Sequence, residues 1–179
     1  SEGVAFPFIV ASGARSAMPH GEASPTIIEP GGLVVFDLGA VIRGYASDIT
    51  RTYATGPLDD DLLFAYDLVR EAQMTAIAAV KAGVTCRDLD AIARERIESG
   101  GMGAFFTHSL GHGVGLEIHE APALSRRSED TLDTDMVVTV EPGVYLSGRG
   151  GVRIEDTVLV TPSGVEILTE CPRDLRVLH

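Results

Sequence analysis

The sequence predicts an α+β fold built from β-hairpins and two amphipathic helices. Two apolar stretches, residues 33–53 and 136–156, each contain a central turn and are typical of paired antiparallel strands. Between them, residues 59–100 repeat apolar side chains at helical spacing. A chain of 179 residues with 45% hydrophobic content is long enough to form one globular domain with its own core.

Composition argues against several classes of partner. The net charge is 14 − 26 = −12, which disfavours binding to nucleic acid or to anionic membrane surfaces. No apolar run reaches the roughly 20 residues of a membrane-spanning helix, and no signal-like segment stands at the start, which favours the cytoplasm. Cys86 and Cys171 are far apart and indicate free thiols, with a single disulfide as the alternative.

The first apolar stretch is an acidic hairpin. A β-branched run ends at Asp37, and the returning strand carries Asp48. Arg43 and Gly44 supply the turn, and folding the ribbon about Ile42 and Arg43 places Asp37 opposite Asp48. Two carboxylates in that position would repel each other, so we expect a cation, most simply a metal ion, between them.

Two amphipathic helices are predicted after this hairpin. Three acids at residues 59–61 favour a helix start, and apolar side chains recur from there until Gly83, over about six turns. The second helix begins with the capping-box pattern of residues 85–88 and continues to Gly100. The acids and arginines of both helices are interpreted as solvated outer faces.

A glycine-rich segment contains three of the five histidines of the chain, namely His108, His112 and His119. Its glycines indicate a strand-and-loop path and allow the backbone to approach a ligand or metal closely. His20 lies beside proline and glycine in an earlier loop, where a histidine alone is more often an ordinary surface residue.

The second apolar stretch repeats the acidic hairpin. An apolar run ends at Glu141, a glycine-rich turn follows, and the returning strand carries Glu155. Folding about Gly148 places Glu141 opposite Glu155. Outside the two hairpins, strands are predicted at residues 4–11 and 165–168.

The four acids of the two hairpins, with one imidazole, would form an oxygen-rich site. Manganese, cobalt or zinc suits this ligand set, and four carboxylates carry too much charge for one divalent ion, so we favour two ions. Such a site holds a bridging water or hydroxide as nucleophile and polarises a carbonyl. The alternative is that each acid only ends a strand or pairs with an arginine, such as Arg51 or Arg153.

Four motifs occur in order along the chain. They are Asp-Leu-Gly followed by Gly-Tyr-Ala-Ser-Asp-Ile-Thr-Arg-Thr, then His-Ser-Leu-Gly-His-Gly-Val-Gly-Leu-Glu-Ile-His-Glu, Thr-Val-Glu-Pro-Gly-Val-Tyr and Gly-Val-Arg-Ile-Glu-Asp. Together they resemble the aminopeptidase P and prolidase branch of the pita-bread metallopeptidases, over essentially all 179 residues. The resemblance implies the pita-bread fold, a curved antiparallel sheet with helices on its outer face.

The resemblance also implies a site with two divalent metal ions, manganese first and cobalt or zinc as alternatives. It assigns five metal ligands: Asp37, Asp48, His112, Glu141 and Glu155. It makes Glu141 the general base as well, and Arg153 an arginine that orients the carboxylates. Three further histidines are implied to bind substrate or handle protons: His20, His108 and His119.

The implied activity is hydrolysis of the Xaa-Pro bond at the N-terminus of peptides or in dipeptides, with a metal-bridging hydroxide as nucleophile. Methionine aminopeptidases share the metal site, and creatinase-like members keep the fold without the metals. The motif wording is closer to the proline-specific branch, and the full ligand set counts against the creatinase-like alternative. Dipeptidase and aminopeptidase activity both stay open, and a homodimer is expected from the resemblance.

One departure from the family pattern concerns the N-terminal side. Family catalytic domains open with a pair of helices before the strand at residues 4–11, usually after a separate N-terminal domain, and neither is present in the sequence. We therefore expect residues 1–179 to be an N-terminally truncated metallopeptidase catalytic domain with an exposed sheet face. A catalytically incompetent fragment, or a module that binds peptides or partners, is the alternative.

Overall fold

Residues 1–178 are described by this computed structural model, which contains thirteen strands and two α-helices in that part of the chain. The helices are α1 (Asp60–Ala79) and α2 (Cys86–Ser99). The strands, in chain order, are β1 (Gly3–Val4), β2 (Ile9–Ser12), β3 (Leu33–Leu38), β4 (Ala40–Ile42), β5 (Tyr45–Ala46), β6 (Ile49–Ala54), β7 (Gly111–Gly113), β8 (Glu120–Leu124), β9 (Val137–Val140), β10 (Gly143–Leu146), β11 (Gly150–Arg153), β12 (Asp156–Thr161) and β13 (Gly164–Ile167).

The named strands pair in antiparallel fashion in four groups. The largest sheet has five strands in the order β13-β12-β9-β7-β8, and a second sheet has three in the order β2-β3-β6. Strands β1, β4 and β5 form a third group, and β10 and β11 form a hairpin. Antiparallel sheets with two separate helices confirm the predicted α+β class.

Both helices begin where the sequence predicts a helix start, and each has a side-chain cap. The Asp59 side chain accepts a hydrogen bond of 2.9 Å from the N–H of the third residue of α1, and the Thr85 hydroxyl accepts one of 3.1 Å at the same position of α2. Helix α1 ends at Ala79 rather than at Gly83, because the chain is already extended at Val80.

The main core lies between the two helices and the five-stranded sheet. Large side chains from both layers are fully buried there, including Leu68, Leu89, Ile97, Val138, Val140 and Val158. Burying each such side chain contributes about 1.5–3 kcal/mol. This packing fixes β9 and β12, and both strands begin or end beside the acids of the second hairpin.

The register of the first acidic hairpin differs from the prediction. Asp37 pairs with Thr50 across β3 and β6, and not with Asp48. The turn is the two-residue loop 43–44, where both residues have positive φ angles of 55° and 80°, as a type I′ hairpin requires. The residue opposite Asp37 is therefore two positions further along the chain than predicted. Because side chains alternate in direction, Asp37 and Asp48 still lie on the same face.

The strand predicted at residues 4–11 is broken in two. β1 pairs with β4, whereas β2 pairs with β3. Pro7, which has no N–H for a sheet ladder, lies at the break, and Phe6 packs close to Gly39 between β3 and β4. A side chain at Gly39 would collide with the Phe6 ring and with the backbone oxygen of Ser47, so the bend there requires glycine.

The second hairpin has the register that the sequence predicts. β10 and β11 fold about Gly148, and Gly143 pairs with Arg153 at the far end. Glu141 and Glu155 lie two residues beyond that last pair, one on each strand. Both acids therefore lie at the same end of the hairpin, opposite its turn.

One part of the helix prediction is wrong. Asp90 and Arg94 of α2 are only 0% and 6% exposed, and two N–O contacts of 2.8 Å join them. Other helix charges do lie at the surface, for example the pair of Glu71 with Arg96. A charge can be buried at this site because the opposite charge is buried with it.

One face of the β2-β3-β6 sheet is partly exposed. Phe36, Leu38, Ile49 and Tyr53 are half-buried and line a groove of about 390 Å³. These side chains alternate along the strands with residues of the opposite face, which include Asp37. The groove agrees with the exposed apolar face expected from the sequence, and the domain assignment stays a prediction.

The remaining sequence-based expectations concern cysteines and membranes. Cys86 and Cys171 are both free, as predicted. No helix within residues 1–178 combines the length and apolar character needed to cross a bilayer.

Candidate metal centre

All nine sequence-predicted site residues line one cavity of about 480 Å³: His20, Asp37, Asp48, His108, His112, His119, Glu141, Arg153 and Glu155. They come from loops and strand ends of both larger sheets and of the β10-β11 hairpin. Asp37 lies near the end of β3, and Asp48 comes directly before β6. His112 is the central residue of β7.

The tightest group in this cavity joins an imidazole to three carboxylates. Ligand atoms of Asp48, His112 and Glu155 all lie within 4.8 Å of one another. The His112 Nε2 atom is 3.1 Å from Glu141 Oε1 and 3.7 Å from Asp48 Oδ2. The other ring nitrogen of His112 is hydrogen-bonded to Gly113 O at 3.0 Å, which directs Nε2 toward the acids.

Hydroxyl groups hold two of these carboxylates in place. Thr50 donates a hydrogen bond of 2.7 Å to Glu155 Oε2. Thr139 donates one of 3.1 Å to Glu141 Oε1 and accepts one of 3.1 Å from the His112 N–H. Neither threonine is among the site residues predicted from the sequence. Thr50 follows Asp48 by two residues and Thr139 precedes Glu141 by two residues, and this alternating spacing was the signal available.

Arg153 joins the first hairpin to the second. It forms an ion pair with Asp37 and donates hydrogen bonds of 3.1 Å to Thr50 Oγ1, 3.0 Å to Tyr145 Oη and 2.9 Å to Pro19 O. Pro19 directly precedes His20, so the same guanidinium also holds the loop that carries this histidine.

Pairing with arginine accounts for only some of the acids. Arg153 pairs with Asp37 and is 4.0 Å from Glu141. Arg51, the other arginine considered from sequence, pairs instead with Asp156 at 2.7 Å. Within residues 1–178, neither Asp48 nor Glu155 forms a salt bridge with an arginine, so the arginine interpretation leaves two buried acids unexplained.

The buried carboxylates raise one another's pKa. Burial, followed by the charges of Asp37 and Glu141, raises the pKa of Asp48 from 3.8 to about 8. Burial and the same neighbouring carboxylates hold the pKa of Glu155 well above 4.5. Burial also raises the pKa of Asp37, although Arg153 opposes the shift. Such crowding favours a cation at this site.

A divalent cation fits these residues. Asp37 Oδ1 is buried and has no hydrogen-bond partner within residues 1–178, although buried polar atoms are normally paired. A cation among the carboxylate oxygens would satisfy this atom and reduce the repulsion that raises the pKa values. Four carboxylates and one imidazole suit hard or borderline metals.

His112 and Glu141 shift each other's pKa in opposite directions. Burial lowers the pKa of His112, but the hydrogen bond and the charge of Glu141 outweigh burial and raise it above 6.5. Burial raises the pKa of Glu141, but His112 and Arg153 outweigh burial and lower it below 4.5. Glu141 is therefore ionised at neutral pH and able to accept a proton.

His108 is held in one tautomer by two hydrogen bonds. Its Nδ1 lies 2.8 Å from Ser109 O, which can only accept, so Nδ1 carries the proton. Burial lowers the pKa of His108, which favours the neutral ring. Tyr145 therefore donates to Nε2 across 2.9 Å. Tyr145, within the Thr-Val-Glu-Pro-Gly-Val-Tyr motif, was not among the predicted site residues.

The His119 ring lies beside the His112 ring in the same cavity. Its ring centroid is 4.3 Å from that of His112, with the planes tilted by 58°. Burial, followed by the charge of His112, lowers the pKa of His119. His119 is therefore mostly neutral at pH 7 and can accept or donate a proton.

The site and its surrounding sequence match a known peptidase family, since residues 1–162 align with metallopeptidase family M24. The chain belongs to this family. The Xaa-Pro dipeptidase of Pyrococcus furiosus is 53% identical over 175 residues, which cover 98% of this chain and 50% of that protein.

Solved structures of two similar enzymes share the fold. The Xaa-Pro dipeptidase from Bacillus anthracis has a TM-score of 0.96 at 52% identity, covering 98% of this chain and 49% of that one. The X-Pro aminopeptidase from Thermotoga maritima MSB8 also has a TM-score of 0.96 at 50% identity, covering 99% of this chain and 51% of that one. The present chain thus has the predicted pita-bread fold, and it spans about half the length of these relatives.

Proposed function

We propose that residues 1–179 form a metallopeptidase catalytic domain that hydrolyses Xaa-Pro bonds with two divalent metal ions. The observation that carries this proposal is the convergence of four carboxylates and His112 in one cavity. The names of the similar proteins, Xaa-Pro dipeptidase and X-Pro aminopeptidase, support the substrate class.

The proposed ligands are the five residues named from the sequence: Asp37, Asp48, His112, Glu141 and Glu155. We propose manganese as the metal, with cobalt or zinc as alternatives, because oxygen ligands predominate. Metal ions bound by these residues would polarise the scissile carbonyl and activate a water molecule.

The protein's own groups supply the proton chemistry. Glu141 is ionised at neutral pH because of His112 and Arg153, so we assign it the role of general base. His108, as a neutral ring held by Tyr145, and His119 face the same cavity and are proposed to bind substrate or transfer protons. His20, which lines the same cavity from its loop, is proposed to bind substrate or transfer protons as well.

The cavity also contains apolar groups that suit proline. Phe6, Pro7, Ile9 and Ile118 line it together with the acids and histidines. The nitrogen of an Xaa-Pro bond carries no hydrogen, so recognition of this bond depends on packing around the pyrrolidine ring rather than on an N–H donor. An apolar wall beside the acids provides such packing.

Hydrolysis of Ala-Pro and of a longer Ala-Pro-headed peptide, side by side with added manganese, tests the proposal. Ala-Ala serves as the control substrate, and Glu95→Gln, an exposed change on α2, as the control variant. Cleavage of the dipeptide alone indicates a dipeptidase, and cleavage of the longer peptide an aminopeptidase. No manganese-dependent cleavage of either peptide by a folded protein would contradict the proposal and favour a binding module.

Two finer predictions accompany this function. We propose a homodimer because the family that the chain resembles commonly forms dimers. We propose a cytoplasmic location because the free thiols of Cys86 and Cys171 suit a reducing compartment. Size-exclusion chromatography with light scattering tests the first, and cell fractionation tests the second.

A further inference from the structure

A buried ion pair on α2 contacts the segment that carries His108. Asp90 and Arg94 are 0% and 6% exposed. The Arg94 Nε and Nη2 atoms each lie 2.8 Å from a different oxygen of Asp90. Neither residue lines the metal-centre cavity.

The pair makes its other hydrogen bonds to one neighbouring segment of backbone, residues 106–110. Arg94 donates hydrogen bonds of 2.9 Å to Phe106 O and of 2.9 Å to His108 O. Asp90 Oδ1 accepts one of 3.1 Å from the Leu110 N–H. The ion pair therefore binds three alternate residues, 106, 108 and 110, of a segment outside its own helix.

The same segment is joined to two groups of the proposed reaction. The His108 ring reaches Tyr145 at 2.9 Å, and Leu110 O accepts a hydrogen bond of 2.8 Å from the N–H of Glu141. The Arg94 guanidinium also lies 4.0 Å from the centroid of the Phe106 ring, and this ring meets the His108 ring edge to face at 5.2 Å. A displacement of the segment would thus move His108 directly.

Stability alone does not require an ion pair at this place. Replacing a buried ion pair with apolar side chains of similar volume is often neutral for stability. Apolar side chains could not bind two carbonyl groups and one N–H, however, so the fixed position of the backbone at 106–110 depends on the charged groups.

We propose that Asp90 and Arg94 are positioning residues for His108 in the hydrolysis proposed above. They touch neither the substrate nor the proposed metal ligands, and they act by fixing the backbone from which the His108 ring projects. Loss of such an orienting contact, or a misplacement of about 1 Å, lowers activity by about 10–100-fold. The expected loss of activity rests on the function proposed above. The position of the His108 ring rests on the observed hydrogen bonds alone.

Two variants test the role of the pair in the metal-loaded, full-length protein. Asp90→Leu combined with Arg94→Met removes the charges and keeps apolar volume, whereas Arg94→Lys keeps the charge pair but cannot form the planar fork to two carbonyls. Arg96→Met, which changes a surface arginine of the same helix, is the matched control. We expect both test variants to lose about 10–100-fold in kcat/KM on Ala-Pro with unchanged manganese content.

Repeating the two changes in a His108→Ala variant distinguishes a positioning role from general destabilisation. In His108→Ala, where the positioned ring is gone, the same two changes should lower kcat/KM by less than about 3-fold, because effects that act through one group are not additive. Equal losses in both backgrounds, or full activity in the folded test variants, would overturn the inference.

Nitrogen-15 NMR of the His108 ring gives a readout that does not need activity. The wild-type ring should show a protonated Nδ1 and an unprotonated Nε2, as its two hydrogen bonds require, and Arg94→Lys should shift or broaden these signals. Unchanged signals would refute the positioning role. If the wild-type protein fails to cleave Xaa-Pro peptides, the proposed function fails, and the ring signals still decide whether Arg94 positions His108.

Discussion

The pKa of Asp48 makes a quantitative prediction for the metal-free protein. Its pKa is 3.8 in an ordinary environment and about 8 in the folded protein. Between these values the folded state keeps a proton that the unfolded state has lost, so the free energy of unfolding decreases as the pH rises. The stability associated with Asp48 is fully present below pH 3.8 and is lost as the pH rises through about 8.

The expected size of this effect follows from the pH interval. Each pH unit in the window changes the free energy of unfolding by about 1.4 kcal/mol per proton. From about pH 5 to pH 8, Asp48 alone should therefore lower stability by about 4 kcal/mol. Glu155, whose pKa is also raised, acts in the same direction. His108 and His119, whose pKa values are lowered, oppose it around their ordinary value of 6.5.

Urea unfolding followed by circular dichroism, with EDTA present, measures this dependence at pH 5 and pH 8. Asp48→Asn is the decisive comparison, since it should remove at least half of the decrease. Saturating manganese should reverse the trend, because a metal binds the ionised carboxylates and its affinity rises with pH. If wild type and Asp48→Asn change by the same amount between the two pH values, the assignment of the raised pKa to Asp48 is wrong.

Three further predictions concern single side chains. Glu141→Gln should reduce turnover by about 10²–10⁴-fold with a near-native circular dichroism spectrum, because the general base is lost; retained activity would exclude Glu141 as the base. Leu89→Ala, at a fully buried position, should cost about 2–5 kcal/mol in urea unfolding, whereas Leu63→Ala, 38% exposed, should cost much less. Thr85→Ala should cost about 1 kcal/mol through loss of the α2 cap, and Thr85→Ser should restore most of it.

Local patterns predicted the two helices and the two acidic hairpins. The helix start at residues 59–61, the cap at Thr85 and the turn centred on Gly148 lie where the sequence predicts them. Each depends on residues within a few positions along the chain, so the interacting partners can be read from a short stretch of sequence. The acids at strand ends were conspicuous for the same reason, since a charge inside an apolar run needs a partner.

The first hairpin shows the limit of such patterns. Its turn at residues 43–44 was visible in the sequence, but the register was predicted wrongly by two residues for Asp37 and Asp48. The φ angles of both turn residues decide the register, and alternation preserved the shared face in spite of the error.

By itself the sequence determined the two helices, the two acidic hairpins, and the acids and histidines that carry the candidate chemistry. Tertiary structure alone decided how they are held. Thr50 bonds Glu155 across 105 positions, and Asp90 and Arg94, which resemble solvated helix charges, are buried by backbone groups 12 to 20 positions away. Such partners leave no local pattern, because their spacing is set by the packing of sheets and helices rather than by the period of any one element.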